Sequence, residues 1–334
     1  MTVLIVSSLG DVHAQVVMGA LAAQGETEVE LLDLSGFPQR LALSMAFEDG
    51  AHRFALRGAG DHTLDLDRVH AVWWRRPQAF GLPDAMTDPV HRRFAVSEAA
   101  TAFQGLYQSM DALWVNDPFR DAAAAHKPFQ LSLAQRIGLE IPPTLMTNDP
   151  DAARAFWERH DGEVIYKQFL ATPESWRETR RLRPQETDLA AAVRWAPVIF
   201  QRHVEAAADI RVTAVGDELF AGAADVRAAS YPTDVRLNLD ARYVAHELPD
   251  PIAALLRQLM QELGLRYGAI DLRLTPEGRY VFLEINPAGQ FLYVEQATGQ
   301  TITAALAALL ANGKQARQAS PAPSISRRGG ASSG

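Results

Sequence analysis

The chain has 334 residues, 48% of them hydrophobic and 22% charged, with a formal net charge of −8 and no cysteine. That length and mix suit two or three packed units of an ordinary globular protein. The negative balance argues against a nucleic-acid binder that works by general attraction to phosphate. Absence of cysteine excludes disulfides, thiolate zinc sites and cysteine nucleophiles. The opening MTVLIVSSLGD lacks the basic region and apolar run of a secretory signal, and no apolar stretch approaches a membrane span. The expectation is a cytoplasmic protein with neither membrane nor nucleic acid as partner.

In chain order, TVLIVSS (2–8) reads as a buried strand and DVHAQVVMGALAAQG (11–25) as a helix ended by Gly25. EVELLDL (28–34) and HAVWWRRP (70–77) are further strands, a spacing that predicts a parallel sheet. Residues 91–112 form a long amphipathic helix, and LWVND (113–117) returns to strand. RDAAAAHKPFQLSLAQRIG (120–138) reads as one helix ending at Gly138, followed by the extended IPPTLMTND. A capped helix over 149–160 and the strand EVIYKQF (163–169) come next. Residues 170–188, polar and without periodicity, read as a loop or irregular hairpin. PVIFQRHVE (197–205), DIRVTAVG (209–216) and ELFAGAADVR (218–227) are strands. A helix at 250–264 precedes the hairpin GAIDLRLTPEGRYVFLEINP, and TITAALAALLANG (301–313) closes the ordered chain. The tail from 314, rich in small and polar residues, reads as disordered.

The hairpin carries the first chemical signal. Glu284 and Asn286 lie two apart in a strand, so they share a face. With a two-residue turn at Pro276-Glu277, residue 271 faces residue 282, and Asp271 joins the same face; a three-residue turn with a bulge would break that parity. Three oxygen ligands without His or Cys suit Mg²⁺, which normally completes its shell with water and phosphate. The alternative is that Glu284 and Asn286 end a strand facing solvent.

Cations in apolar elements carry the second. Lys167 interrupts VIYKQF, Lys127 sits in the apolar AAAAHKPFQLSLA, and Arg211 lies in DIRV with Asp209 on its face. Each has an ordinary reading: an edge or snorkelling lysine, a surface lysine, an internal ion pair. A polyphosphate with Mg²⁺ would explain all three together with the acidic face. No P-loop, dinucleotide fingerprint or protein-kinase signature is present.

Lys127, VIYKQF, IFQRHVEAAADIRVTAVG, GAIDLRL and FLEINPAGQF stand in the order and spacing of the ATP-grasp ligases, which the chain resembles over residues 1 to about 313. VWWRRP, NDP, IPPTLMTND and YPTDVRLN narrow the resemblance to the ATP-grasp maturases of graspetides, the microviridin-like side-chain-crosslinked ribosomal peptides. The glutathione synthetase and glutamate ligase branch is more distant. The resemblance implies an α/β fold, α+β in places. A parallel-sheet pre-ATP-grasp domain (1–118) would precede a central lid (119–198), a C-terminal subdomain with the Mg-ATP site (199–313) and the tail (314–334).

It further implies roles. Lys127 and Lys167 would contact ATP phosphates; Gln201, Arg202, His203 and Val204 would form the hinge reading adenine; Glu205 and Asp209 would lie near ribose. Arg211 would stabilise the transferred phosphate, and Asp271, Glu284 and Asn286 would bind two Mg²⁺. Arg227 and Arg236 are candidates beside the reacting groups, against the alternative of solvated loop charges. Arg75 and Arg76, at the carboxyl end of a sheet strand, are substrate candidates or a structural ion pair. The glycine-rich phosphate loop of many ATP-grasp enzymes is missing: ATPESWRETRRLRP stands in its place. The expected reaction activates a Glu or Asp side chain of a precursor's core as an acyl phosphate, then forms an ester or amide. The leader would dock near 218–242, and homodimerisation, common in the family, is expected. A small-molecule or protein-terminus amino-acid ligase is the other reading, and a catalytically silent peptide binder a third, disfavoured by the intact acidic set.

Overall fold

The computed structural model of the chain describes residues 1–26, 28–58, 60, 62–169, 180–181, 190–225 and 242–313. Two compact units divide it: Met1–Val115 together with the chain from Leu306, and Asn116–Ala305.

The first unit runs β1 (Thr2–Val6), α1 (Val12–Ala23), β2 (Val29–Leu32), β3 (Ala42–Glu48), β4 (Ala51–Arg57), β5 (Thr63–Asp65), β6 (Val69–Trp74), α2 (Pro89–Ser109) and β7 (Leu113–Val115). Its main sheet is parallel, in the order β2-β1-β6-β7. The central β1 is buried at every position, as a strand covered on both faces requires. Asp11 caps α1 by accepting from the His13 amide, and Gly25 takes the left-handed turn after it at φ 90°. The antiparallel sheet β3-β4-β5 was not among the expected elements. Most of β3 is exposed, so it carries little of the alternation by which a strand is recognised.

The second unit runs α3 (Pro118–Ala124), α4 (Lys127–Ile137), β8 (Thr144–Thr147), α5 (Pro150–Arg159), β9 (Val164–Lys167), β10 (Arg180–Arg181), α6 (Ala190–Val193) and β11 (Val198–Arg202). It continues with β12 (Ala208–Val215), β13 (Glu218–Asp225), β14 (Tyr243–Ala245), α7 (Asp250–Leu263), β15 (Tyr267–Leu274), β16 (Tyr280–Asn286) and α8 (Leu292–Thr298), and α9 (Ile302–Ala311) crosses back. Two antiparallel sheets result, β10-β9-β11-β8 and β14-β13-β12-β15-β16. The larger one packs Ile210, Leu272 and Phe282 against Leu256, Leu259 and Leu263 of α7. The single helix expected over 120–138 is two. Pro128 has no amide to donate and fits only a first turn, so the chain restarts at Lys127.

β16 is the outer strand of its sheet, and α4 covers it through one buried side chain. Gln130 donates from Nε2 to the Ile285 carbonyl at 2.8 Å and to the Ala124 carbonyl at 2.6 Å. Its Oε1 accepts from the Ile285 amide at 3.1 Å. A strand edge is thereby satisfied by an amide that mimics a neighbouring strand. Replacing Gln130 with Leu keeps the volume and leaves these backbone groups without a partner. The expected loss is about 2–5 kcal/mol of unfolding free energy in urea titration. A loss within 0.5 kcal/mol, the order of an ordinary surface change, would refute the clamp.

Candidate active site

The acidic hairpin folds differently from the expected register. Its turn has three residues, 276–278, with Gly278 at φ 83° and the Thr275 amide bonded to the Arg279 carbonyl at 2.9 Å. Leu274 therefore faces Tyr280 and Leu272 faces Phe282, which taken alone would set Asp271 against Leu283. The register then shifts between Leu272 and Asp271, so that Asp271 faces Glu284 and Ala269 faces Asn286. Leu283 is the extra residue of this bulge. Phe282 and Ile285, three apart, both reach the core, while Glu284 turns to the face of Asp271. Two irregularities cancel and restore the convergence.

Across β12 and β15 the sequence carries the same triplet twice, Asp209-Ile210-Arg211 and Asp271-Leu272-Arg273. Antiparallel pairing sets Arg211 opposite Asp271 and Asp209 opposite Arg273. Arg211 Nη1 donates to Asp271 Oδ1 at 2.7 Å, and Arg273 Nε to Asp209 Oδ1 at 2.9 Å. Arg211 is 8% exposed. Burial would favour its neutral form, but the charge of Asp271 outweighs that and holds the guanidinium firmly protonated. In place of the same-strand pair of Asp209 with Arg211 that was the alternative reading, there are two cross-strand pairs. On the other side, Lys127 Nζ pairs with Glu284 Oε2. The Gln130 clamp explains this contact: Lys127 and Gln130 are three apart on α4, hence on one face, and Gln130 is bolted to the residue after Glu284. A continuous row results: Arg211, Asp271, Glu284, Lys127.

Two carboxylates directly opposed, with the Asn286 side chain near and no sulfur or imidazole, fit a hard divalent cation. Among the described residues no group of three or more His, Cys, Asp or Glu side chains could hold a metal. Oxygens from a substrate would have to complete the shell. Asn286 Oδ1 accepts from the Ala288 amide at 2.9 Å, starting the turn that carries Gly289 over the sheet. A Cβ on Gly289 would lie 2.2 Å from Ala269 Cβ and 2.9 Å from Arg211 Nη2, so only glycine permits this approach. Asn116 ties the start of β15 to this loop: its Nδ2 donates to the Tyr267 carbonyl at 2.9 Å and lies 3.4 Å from the Pro287 carbonyl, and its Oδ1 accepts from the Arg266 and Tyr267 amides.

The segment between β11 and β12 is held by Arg273, which donates to the Val204 carbonyl at 2.7 Å. Gln201 is buried and bonds Thr144 Oγ1 at 2.9 Å, while Arg202 and Glu205 are exposed. The Arg202 and His203 amides donate to the Pro143 and Glu163 carbonyls. His203 is pushed down to about 4 by burial and by the neighbouring Arg181 and Arg273, so the ring is neutral at pH 7. Lys167 ends β9 opposite Ile199 in the smaller sheet. Arg75 is 1% exposed, with Nε on Asp11 Oδ2 at 3.3 Å and its guanidinium 5.6 Å from the Trp73 ring, whereas Arg76 is exposed. Burial raises the Asp11 carboxyl, but hydrogen bonds from His13 and Ser7 and the Arg75 charge hold it well below the usual range. Arg227 and Arg236 lie outside the described residues, as do most of 170–188 and the tail from 314. Arg273, Gln130 and Asn116 were missed in the sequence; Arg273 had the same signal as Arg211, a charge inside a strand pattern.

A family model described as the MvdD pre-ATP grasp domain matches residues 2–122. The macrocyclase MdnC of Microcystis aeruginosa MRC, solved with the precursor peptide MdnA, is similar at 31% identity and TM-score 0.83, over 93% of this chain and 100% of that one. A RiPP-associated ATP-grasp ligase of Chryseobacterium gregarium, solved with ADP and a leader and core peptide, is similar at 26% identity and TM-score 0.84, over 93% and 96%. The ATP-grasp ligase PsnB, solved with a minimal precursor, Mg and ADP, is similar at 28% identity and TM-score 0.75, over 93% and 98%. Among curated proteins no sequence matches. No helix of the described residues is long and apolar enough to cross a membrane.

One titration in this unit is observable without ligand. Asp121, which Asn116 Nδ2 approaches at 3.4 Å, is raised to about 6 by burial, with a further contribution from Asp117. Its folded form binds a proton that the unfolded form, near 3.9, has released, so stability falls as pH rises from about 4 to about 6. Asp121→Asn is expected to leave unfolding free energy unchanged at pH 4 and to raise it by about 1–3 kcal/mol at pH 8. A difference that does not vary with pH would show that Asp121 titrates normally.

Proposed function

The chain belongs to the ATP-grasp ligases, in the family of the peptide macrocyclases, and from that premise we propose that it closes side-chain crosslinks in a ribosomally made precursor peptide. It is an ATP-dependent ligase that uses Mg²⁺. The observation that carries the site assignment is the row Arg211–Asp271–Glu284–Lys127, in which each cation is paired with a carboxylate of the acidic hairpin. Asp271, Glu284 and Asn286 would hold Mg²⁺. When bound, the metal neutralises charge on the phosphates and orients them.

The residues then divide the work. Lys127 and Arg211 turn from their carboxylates to phosphate oxygens, and Lys167 adds a cation from the smaller sheet. The segment from Gln201 to Val204, fixed by Arg273 and carrying a neutral His203, receives the base, with Glu205 and Asp209 towards the ribose. The smaller sheet with α5, which has its own core, acts as the lid that excludes water from the reacting groups; α3 and α4, within the span 119–198 expected for that lid, pack instead in the core of the larger sheet. A Glu or Asp carboxylate of the peptide attacks the terminal phosphorus of ATP: the new bond is carboxylate oxygen to phosphorus, and ADP leaves. A Ser or Thr hydroxyl, or a Lys amine, attacks the resulting acyl carbon, loses its proton and expels phosphate. ATP becomes ADP and phosphate, and the peptide loses one water per crosslink. Arg227, Arg236 and Arg76 are the arginines offered to the acidic peptide; Arg75, spent on Asp11 and Trp73, serves the first unit's packing.

Mass spectrometry of the peptide encoded beside the gene, incubated with the protein, ATP and Mg²⁺, tests the reading. Loss of one water per crosslink is expected, with methanolysis distinguishing ester from amide. An unchanged peptide, with ADP released only when free amino acids are supplied, would make the protein a small-molecule ligase. Glu284→Gln is expected to lower ATP turnover about 100-fold or more with the melting temperature retained; an active variant would refute the metal assignment. Because Lys127 masks Glu284, Mn²⁺ observed by EPR is expected to bind wild type with ADP present and not alone, and Lys127→Met to bind it alone more tightly than wild type.

A further inference from the structure

Two tyrosines that no role above uses stand beside Arg211. Gly222 on β13 faces Arg211 across the sheet. A Cβ there would meet Val294 Cγ1 at 2.9 Å and Tyr243 Cδ1 at 3.2 Å, so the missing side chain lets α8 and the Tyr243 ring lie down next to the arginine. Tyr243 pairs with Ala224 on β13, whose other neighbour is Asp209, which places Tyr243 on the face of Asp209 and Arg211. Tyr293, at the start of α8, meets the Tyr243 ring edge to face with centroids 5.2 Å apart. Tyr243 is half-buried and Tyr293 is exposed, and the Tyr243 phenol feels the charges of Asp271 and Arg211.

Packing alone asks only for aromatic rings here, and phenylalanine would supply them at lower desolvation cost. The two hydroxyls sit instead beside a guanidinium with a donor to spare. Arg211 spends Nη1 on Asp271 and Nη2 on the Gln290 carbonyl, while its buried Nε has no hydrogen-bond partner among the described residues. Burial first, then the charges of Tyr293 and Asp271, drive the Tyr243 phenol upward, so it remains an O–H donor throughout the working range. Phenol hydroxyls beside a guanidinium N–H that has no partner among the described residues suit a carboxylate, which offers about four lone-pair sites and no proton.

We propose that Tyr243, Tyr293 and Arg211 Nε form the subsite that seats the acidic side chain to be activated, selecting a carboxylate over its amide isostere. This rests on the peptide-ligase reading and names the residues that recognise the reacting group. Lys and Glu contacts elsewhere in the row address phosphate and metal; the tyrosines lie on the opposite flank of Arg211, towards β13 and β14.

The test is calorimetric binding of the neighbouring-frame peptide, and of its core Glu→Gln version, to the full chain with Mg²⁺ and ADP. Wild type is expected to prefer the Glu peptide by about tenfold or more. The Tyr243→Phe/Tyr293→Phe double variant keeps both rings and is expected to lose that preference, with ADP affinity and melting temperature unchanged and kcat/KM for crosslinking lowered about tenfold or more. A double variant that still discriminates Glu from Gln overturns the subsite while leaving the ligase reading intact. A wild type that binds neither peptide overturns both. If ADP affinity falls in parallel with peptide affinity, the tyrosines serve the nucleotide side and the proposal is wrong. Each single variant separates the two hydroxyls, and one that carries the whole loss identifies the donor in contact.

Discussion

The site depends on one extra residue. Without the bulge at Leu283, the three-residue turn would leave Asp271 opposite Leu283, and Glu284 would point at the core with Phe282. A carboxylate buried there costs several kcal/mol, and the acidic pair would never form. The bulge admits a second constraint: a strand that shifts register at the sheet's outer side needs something to hold its far edge. Gln130 does this with a donor and an acceptor aimed at Ile285, and in doing so fixes where Lys127 emerges. Turn, bulge, clamp and lysine are consecutive consequences of one register.

Charge is handled in the same economical way. Two Asp-x-Arg triplets on antiparallel neighbours can pair only crosswise, so each buried guanidinium meets a carboxylate at hydrogen-bond distance. Such pairs bring little net stability, because the desolvation of both partners offsets most of their attraction. Their value lies in geometry. Arg273 ties the β11–β12 connection to the sheet through the Val204 carbonyl, and Arg211 ties the Gln290 loop to the same sheet. One triplet pair thus positions both the β11–β12 connection and the Gln290 loop.

Much of this is legible in the sequence. Apolar runs and Gly or Pro punctuation located the parallel strands, the antiparallel block and the acidic hairpin, because those elements bury whole faces. What escaped has definite physical reasons. The β3-β4-β5 sheet hides little and so leaves a weak pattern. The turn and the bulge each move the register by one, and parity from a sequence cannot see two errors that cancel. Helix continuity over 120–138 followed the apolar spacing and ignored Pro128. Gln130 and Asn116 are neutral amides that meet backbone groups more than a hundred residues away, which no local pattern records. Arg273 is different: the repeated Asp-x-Arg was in plain view, and the rule applied to Arg211 covered it equally.

Charge balance bears on how many ions the site takes. The row holds Arg211, Lys127, Asp271 and Glu284, two positive and two negative groups, and is neutral. A triphosphate brings about four negative charges when fully ionised. Entering with one divalent cation it would leave a net excess of about two negative charges in a site with a 8%-exposed arginine at its floor. With two it would leave the row neutral, and on the reading proposed above Lys127 and Arg211 would turn from carboxylate to phosphate oxygens. Each charged group of the row would then keep a partner of opposite sign. If the hairpin holds the metal as proposed, charge balance therefore favours two Mg²⁺ over one.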